Sequence, residues 1–434
     1  MNKSEHQEFR PVYIVDGART PFIKVRGEPG PFTPVDLAVQ CGRPLLARQP
    51  MKPDAYDQVI LGCVNVVSEE MNPARIAALR LGMGESMPAF TVQINCGSGM
   101  QSIDTAFKYI RSNQSDLILA GGAEALSHAP LLFRQSAVEW FAGLAKARSP
   151  LEKIKTLLQF KARFMQPVVG LERGLTDPVV NMNMGQTAEK LAYLFDVSRE
   201  QADQYAVNSH LRLHKAQQEG YFEHELESAF SADGRVFSND DGVRPDSSVE
   251  KLAKLKPVFE PPHGKVTAGN SSQITDGASW VILASQEAVD RYKLKPRAVI
   301  RDSAWAALDP SVMGLGPVLA ATELLKRHEY KLGDIDLWEI NEAFAAQVLA
   351  CTKAWESEEF CRDILQLDGP MGSMDMDKLN VDGGAIGLGH PVGASGNRIV
   401  LHLVNALHRL KMQRGIASQC IGGGQSGAML IERI

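Results

Sequence analysis

The stretch "GLGHPVGASGNRIVLHLVNALHRLKMQRGIASQCIGGGQSG", residues 387–427, decides how this chain folds. It opens on a glycine-rich turn around His390 and runs into a long segment with apolar residues at helical spacing. It ends on a strand-like run closed by a second glycine turn. The same pieces occur in the same order near the start. There "NCGSGM", residues 95–100, leads into the amphipathic "QSIDTAFKYIRS" and then into "DLILAGGAEALS", a strand with its own glycine turn. Two related halves follow from this match, each with one turn-plus-helix unit that carries a reactive side chain.

Outward from these units the chain alternates between strand-like and helix-like segments. "PVYIVDGART" and "QVILGCVNV" come early, and "RAVIRDSAWA" and "LWEINEAFA" come late, which is an α/β pattern. Residues 129–255 differ, with helical periodicity through "TAEKLAYLFDVSREQADQYAVNSHLRLHKAQQEGYF" and a capping signature in which Ser198 precedes Gln201 by three. The expected organisation is a first half over 1–128 and 256–298, a domain over 129–255 inserted in it, and a second half over 299–434. A smaller insertion spans "ESEEFCRDILQLDGPMGSMDMDKL".

A net charge of -5 gives no bulk reason to bind nucleic acid, so any anion site must be local. The opening residues lack the apolar core of a signal peptide and no apolar run approaches a membrane span, so a cytoplasmic protein is expected. The six cysteines, Cys41, Cys63, Cys96, Cys351, Cys361 and Cys420, form no CxxC pair, which suggests neither a zinc site nor a disulfide framework. Cys41, Cys63, Cys351 and Cys361 read as small buried hydrophobes. His210 and His214, one turn apart, read as a solvated helix face, since no third ligand lies near them in sequence.

Four stretches hold more glycine and small polar residues than packing needs: "NCGSGM", "NEAF" at 341–344, "GLGHPVGASG" and "CIGGG" from Cys420. Together they supply a cysteine at a helix start, a histidine between glycines, a second cysteine and amide-bearing turns. A helix N-terminus and a neighbouring imidazole favour a thiolate, so Cys96 could be a nucleophile and His390 its base. A second thiol, Cys420, could move a proton on a substrate carbon, and glycine-turn amides could hold an oxyanion. Local sequence alone also allows Cys96 to be a core filler and His390 a turn histidine. Glu342 reads as an orienting or structural residue. "GGGQSG" fits a dinucleotide fingerprint, but only a strand-like end follows it and no helix could receive a pyrophosphate.

With "VYIVDGARTPF", "GGAEALSHAP", "NMGQTAE", "TAGNSSQITDGA", "NEAFAAQ" and "GGAIGLGHPVGASG" in order along nearly the whole chain, the sequence resembles the thiolases, the acetyl-CoA C-acyltransferase family. The resemblance implies a five-layered αβαβα fold of two similar halves with an inserted loop domain. It implies Cys96 as the acyl-accepting nucleophile, His390 as its activator and Cys420 as the acid/base at the α-carbon of the acetyl unit. Asn341 would hold a water that forms one oxyanion hole with His390, and the amides of Cys96 and Gly422 would form the other. Ser272 would touch the pantetheine arm, with Met184 and Phe344 beside the substrate. No metal or bound cofactor is implied, and coenzyme A enters as a substrate.

The implied activity is degradative: cleavage of a 3-ketoacyl-CoA by CoA in fatty acid β-oxidation, with condensation of two acetyl-CoA as the biosynthetic alternative. Asn183 stands where compact short-chain enzymes often have histidine, which favours longer chains. A homodimer or homotetramer is implied. Residues 131–167 carry seven Lys or Arg against two Glu, with aromatic residues interspersed. They read either as a packed cap with solvated lysines or as a face for a hydratase/dehydrogenase subunit or a membrane. Two rivals are a decarboxylating condensing enzyme of the same fold, which has no need of the second thiol, and a non-catalytic scaffold, which would not need all four reactive stretches.

Overall fold

The computed structural model describes residues 9–434. The first half runs through β1 Tyr13–Arg19, α1 Pro34–Ala47, β2 Gln58–Gly62, α2 Pro73–Arg80, β3 Ala89–Val92, α3 Ser98–Arg111 and β4 Leu117–Ala125. An excursion holding α4 Gln135–Lys146, α5 Pro150–Leu157, α6 Met184–Leu194 and α7 Arg199–Gln218 intervenes before β5 Thr275–Ala284 completes this half. The second half comprises β6 Ala298–Ala307, α8 Gly316–Arg327, β7 Leu337–Ile340, α9 Ala345–Glu356, α10 Val392–Leu410, β8 Arg414–Ile421 and β9 Gln425–Arg433.

The sheet order, β7-β8-β9-β6-β1-β5-β4-β2-β3, exposes the duplication. In each half the first strand pairs with the last, the last with an antiparallel neighbour, and that neighbour with a parallel one. A single parallel bridge between Trp338 and Leu379 stands where the second half's counterpart of β3 would fall. The halves join where β1 meets β6, through Tyr13 opposite Val299 and Ile14 opposite Ala298 alone. So short a seam lets the two half-sheets turn away from each other and leave room for helices between them.

Those helices are α3 and α10, whose apolar residues share one core with inward side chains of both half-sheets. Outside, α1 and α2 pack on the first half around Trp280, and α8 and α9 pack on the second around Trp338 and Trp355. The five layers expected from the resemblance are therefore present. They explain why β4 and β5 are buried on both faces and show no apolar alternation. Of "GGGQSG", Gly422 to Gly424 form the tight turn of the β8–β9 hairpin and the last three residues begin β9.

Within the excursion, α7 starts at the Ser198–Gln201 capping box, as expected. His210 departs from expectation, because it is buried. α7 is covered on one side by the 384–388 segment, and the His210 Nδ1 accepts the Arg244 N–H at 3.3 Å. Burial, then the cationic Arg244 and Lys24, lower its pKa to about 4. Of α4 only Ala137 is buried, and of α5 no residue is. Trp140 gathers Phe141, Phe160 and Phe164 around it, while Leu151, Ile154, Leu157 and Leu158 face outward among the lysines. The hairpin is thus not a cap with only lysines outside. No helix among the described residues is long and apolar enough to cross a membrane.

Candidate active site

Cys96 sits just ahead of α3 in a turn that its own backbone fixes. Asn95 takes the left-handed conformation at φ 46°, the Ile94 N–H donates to Ser98 Oγ at 2.9 Å, and Ser98 Oγ donates to the Asn95 carbonyl at 2.7 Å. Asn95 Nδ2 donates to the Gly422 carbonyl at 2.8 Å, which ties this turn to the β8–β9 turn next to Cys420. The first turns of α3 and α10 cross in backbone contact. A Cβ on Gly99 would lie 2.7 Å from the Gly393 carbonyl oxygen and 2.8 Å from the Asn397 nitrogen, so only glycine permits the approach. The crossing brings the Cys96 turn of one half beside the His390 turn of the other.

Cys96, His390 and Cys420 line one cavity of about 200 Å³, together with Met184, Ser272 and Phe344. At Cys96 this cavity meets a wider one of about 560 Å³, and Gly422 lies on the wall of the latter. Asn341 is not on either wall. It lies at the end of β7, where its N–H donates to the Ser418 carbonyl at 3.0 Å, and both polar atoms of its buried side chain lack a partner in the chain. Cys41, Cys63, Cys351 and Cys361 are buried. Asn183 reaches the cavity wall, yet its side-chain oxygen caps α6 by accepting the Gln186 N–H at 2.9 Å.

The electrostatics separate the roles available to these groups. Burial pushes the Cys96 thiol up, while the N–H groups of Gly422 and of Cys96 itself face the sulfur and oppose the rise. Burial, then the charges of Cys96 and Cys351, push Cys420 well above the ordinary thiol range, so it is a proton carrier in its resting state. Burial and then Arg398 lower His390 to about 4, so its imidazole is neutral at pH 7.

The tautomer of that imidazole follows from its neighbour. His390 Nδ1 lies 2.6 Å from Ser395 Oγ, and Ser395 Oγ donates its single proton to the Pro391 carbonyl at 3.1 Å. With that proton spent on the carbonyl, the matching tautomer has the ring proton on Nδ1, donated to Ser395 Oγ, and leaves Nε2 with a free lone pair, which is the form a base at Cys96 needs. Nε2 is buried and has no partner in the chain. A neutral base with an unoccupied acceptor thus shares a cavity with two thiols.

Three supporting residues position these groups. Glu342 has the orienting place read for it: its carboxylate accepts from Ser209 Oγ at 2.6 Å, Tyr205 at 3.0 Å and the Ile386 N–H at 3.2 Å, and so holds the segment leading to His390. Ser395 and Glu124 were not singled out by sequence reasoning. Ser395 is hidden in "GASG", where a small polar residue looks like helix-start packing. Glu124 accepts the N–H groups of Asn65 at 2.8 Å, Gly393 at 2.9 Å and Val64 at 3.2 Å, joining the two halves beside Cys96. Burial raises its carboxyl to about 7 against those three donors. The one available signal was an acidic residue inside an otherwise apolar and glycine-rich strand.

Comparison with known proteins agrees along the whole chain. The family model "Thiolase, N-terminal domain" matches residues 12–287 and "Thiolase, C-terminal domain" matches 294–433. The chain is 39% identical to a 3-ketoacyl-CoA thiolase of Klebsiella pneumoniae, over 98% of this chain and 99% of that one. It is 36% identical to the mitochondrial trifunctional enzyme subunit beta of Bos taurus, over 98% of this chain and 88% of that one. The solved structure of human mitochondrial 3-ketoacyl-CoA thiolase in complex with CoA superposes with a TM-score of 0.84 at 36% identity, covering 98% of each chain.

Proposed function

The chain belongs to the thiolase family, and from that premise we propose that it is a 3-ketoacyl-CoA thiolase of fatty acid β-oxidation, an acyltransferase with CoA as a substrate. The observation that carries this reading is the convergence of Cys96, Cys420 and a neutral His390 with a free Nε2 on one cavity. His390 Nε2 takes the Cys96 proton, and the thiolate attacks the keto carbon of the substrate. The bond between the α-carbon and the keto carbon breaks, and its electron pair leaves as the acetyl-CoA enolate. Cys420 protonates that carbon, which a thiol held in its neutral form is suited to do. The second substrate, CoA, gives its thiol proton to Cys420 and attacks the acyl-Cys96 thioester. Cys96 leaves and recovers its proton from His390.

The amides of Cys96 and Gly422, which oppose the rise of the Cys96 thiol, are the proposed oxyanion site for the thioester oxygen. Asn341, with its unpaired buried amide, is the proposed anchor of a water for the second oxyanion site. Ser272, Met184 and Phe344 form the wall proposed for the pantetheine arm. The test is thiolysis: loss of 3-ketoacyl-CoA absorbance on adding CoA, across chain lengths. Absence of turnover at every length would overturn the assignment.

The hairpin over 131–167 is proposed to seat a hydratase/dehydrogenase subunit, in keeping with its outward apolar residues and with relatives named as beta subunits of a trifunctional enzyme. A membrane surface is the competing occupant. Deleting 136–165 in a folded variant should abolish co-purification with the partner, and loss of vesicle binding alone would transfer the hairpin to the membrane. A homodimer or homotetramer is part of the same proposal, supported by β3, which ends the sheet with one edge unpaired among the described residues. A monomer by light scattering would exclude it.

A further inference from the structure

The two cavities that meet at Cys96 differ in their walls, and that difference bears on the substrate. The inner one is walled on one side by the Ser271–Ile274 segment and on others by Phe259 and Met313. The wider one has the polar side chains of Asn65, Gln93, Asn95 and Thr176 on its wall. Asp177 also lies on its wall, but its carboxylate is engaged by the N–H groups of Val179 at 2.8 Å and Val180 at 3.1 Å. Beyond that the wall is Leu126, Leu132, Leu171, Leu175 and Val179, from the segments that flank the base of the α4–α5 hairpin. Val179 is 77% exposed and Leu132 47%, so apolar surface is left facing solvent along a path that starts at the reacting sulfur.

We propose that this wider groove binds the fatty acyl chain of the substrate and that the enzyme therefore favours long-chain 3-ketoacyl-CoA. The proposal rests on the thiolase reading and deepens it. The sulfur that accepts the acyl group stands at the junction of two spaces, so the CoA arm and the acyl chain must leave it in different directions. The inner cavity, at about 200 Å³, has no room for a long chain beside the arm. The groove, at about 560 Å³ with a mostly apolar lining, has both the room and the chemistry. Leu171 and Val179, which line the groove and not the inner cavity, are then specificity-determining residues.

The test is kcat/KM for thiolysis over a series from four to sixteen carbons, in the wild type and in Leu171→Trp. Each methylene moved out of an apolar groove costs about four-fold in kcat/KM. Wild-type kcat/KM should rise with length into the long-chain range. A tryptophan that fills the space of three or four methylenes should lower the sixteen- to four-carbon ratio on the order of a hundred-fold. Val179→Trp gives the same readout if Leu171→Trp does not fold. A ratio unchanged in the folded variants, or a wild type that works on four carbons and loses activity with length, overturns the groove and leaves the thiolase reading intact. No turnover by the wild type at any length overturns both.

Discussion

Replacing Ser395 by alanine should slow acylation of Cys96 without weakening substrate binding. Ser395 lies behind the His390 ring and is not on the cavity wall, so it cannot touch substrate. Its oxygen lies 2.6 Å from Nδ1, and in the base-competent tautomer it accepts the Nδ1 proton and so keeps Nε2 unprotonated. In the alanine variant the buried N–H loses its acceptor, at a cost of about 1–3 kcal/mol. The ring can escape that cost by moving its proton to Nε2, where the proton removes the base. Acylation should therefore fall about 5- to 150-fold, the range to which those energies convert. Single-turnover acylation by a 3-ketoacyl-CoA, followed as mass added to Cys96, measures this directly. KM should stay close to the wild-type value, and circular dichroism should report an intact fold. Acylation at the wild-type rate in a folded Ser395→Ala protein would refute the tautomer argument, and a rise in KM with kcat preserved would show that Ser395 binds substrate.

The other expectations are independent of that one. Cys96→Ala should form no acyl adduct by mass spectrometry, whereas Cys420→Ala should still accept an acyl group from acyl-CoA but lose carbon–carbon cleavage by roughly 10²–10⁴-fold; equal adduct in wild type and Cys96→Ala would overturn the assignment. Glu124→Ala strips the acceptor from the Asn65 and Gly393 amides and should destabilise by about 1–3 kcal/mol in denaturant melts, with Glu124→Gln, which keeps one oxygen, losing less. A smaller effect for alanine than for glutamine would contradict that account. His402 lies 3.1 Å from both Glu225 and Asp382; burial alone would lower its pKa, but the two carboxylates raise it to about 10. With a folded value above the ordinary 6.5, its contribution is fully present below pH 6.5 and is lost as pH rises through 10. Tm should thus fall between pH 7 and 10 in the wild type, and less steeply in His402→Leu, which should itself cost only about 1–3 kcal/mol because Glu225 keeps Arg19 and Asp382 keeps Arg409; parallel Tm curves would rule out His402 as the titrating group.

Much of the fold was legible because the duplication repeats local signals. The Cys96 and His390 turns, the helices after them and the glycine-closed strands are each coded within about forty residues, so the two units could be matched by pattern. What escaped was coded by partners far away in sequence. Arg19 of β1 pairs with Glu225 and Asp240 of the excursion, and Glu225 also meets His402 of α10, contacts that no periodicity announces. Glu124 escaped because β4 is buried on both faces, which removes the alternation that would mark an inward carboxylate. His210 was misread for a related reason, since α7 meets packing partners on more than one side and its polar residues do not all face water.

The proposed catalytic set could not sit within either half alone. Cys96 belongs to the first turn-plus-helix unit, His390 to its counterpart, and Cys420 to the strand that follows the counterpart. The seam at β1 and β6 lets the half-sheets splay, α3 and α10 fill the gap, and their first turns cross where Gly99 meets the Gly393 carbonyl. Both helix starts then point at one cavity, so the duplication that makes the core also sets two reactive turns face to face. The price is a backbone crossing with no space for a methyl group. Packing between the halves and spacing between the proposed nucleophile and base are therefore fixed by the same atoms, and a change that loosens one must loosen the other.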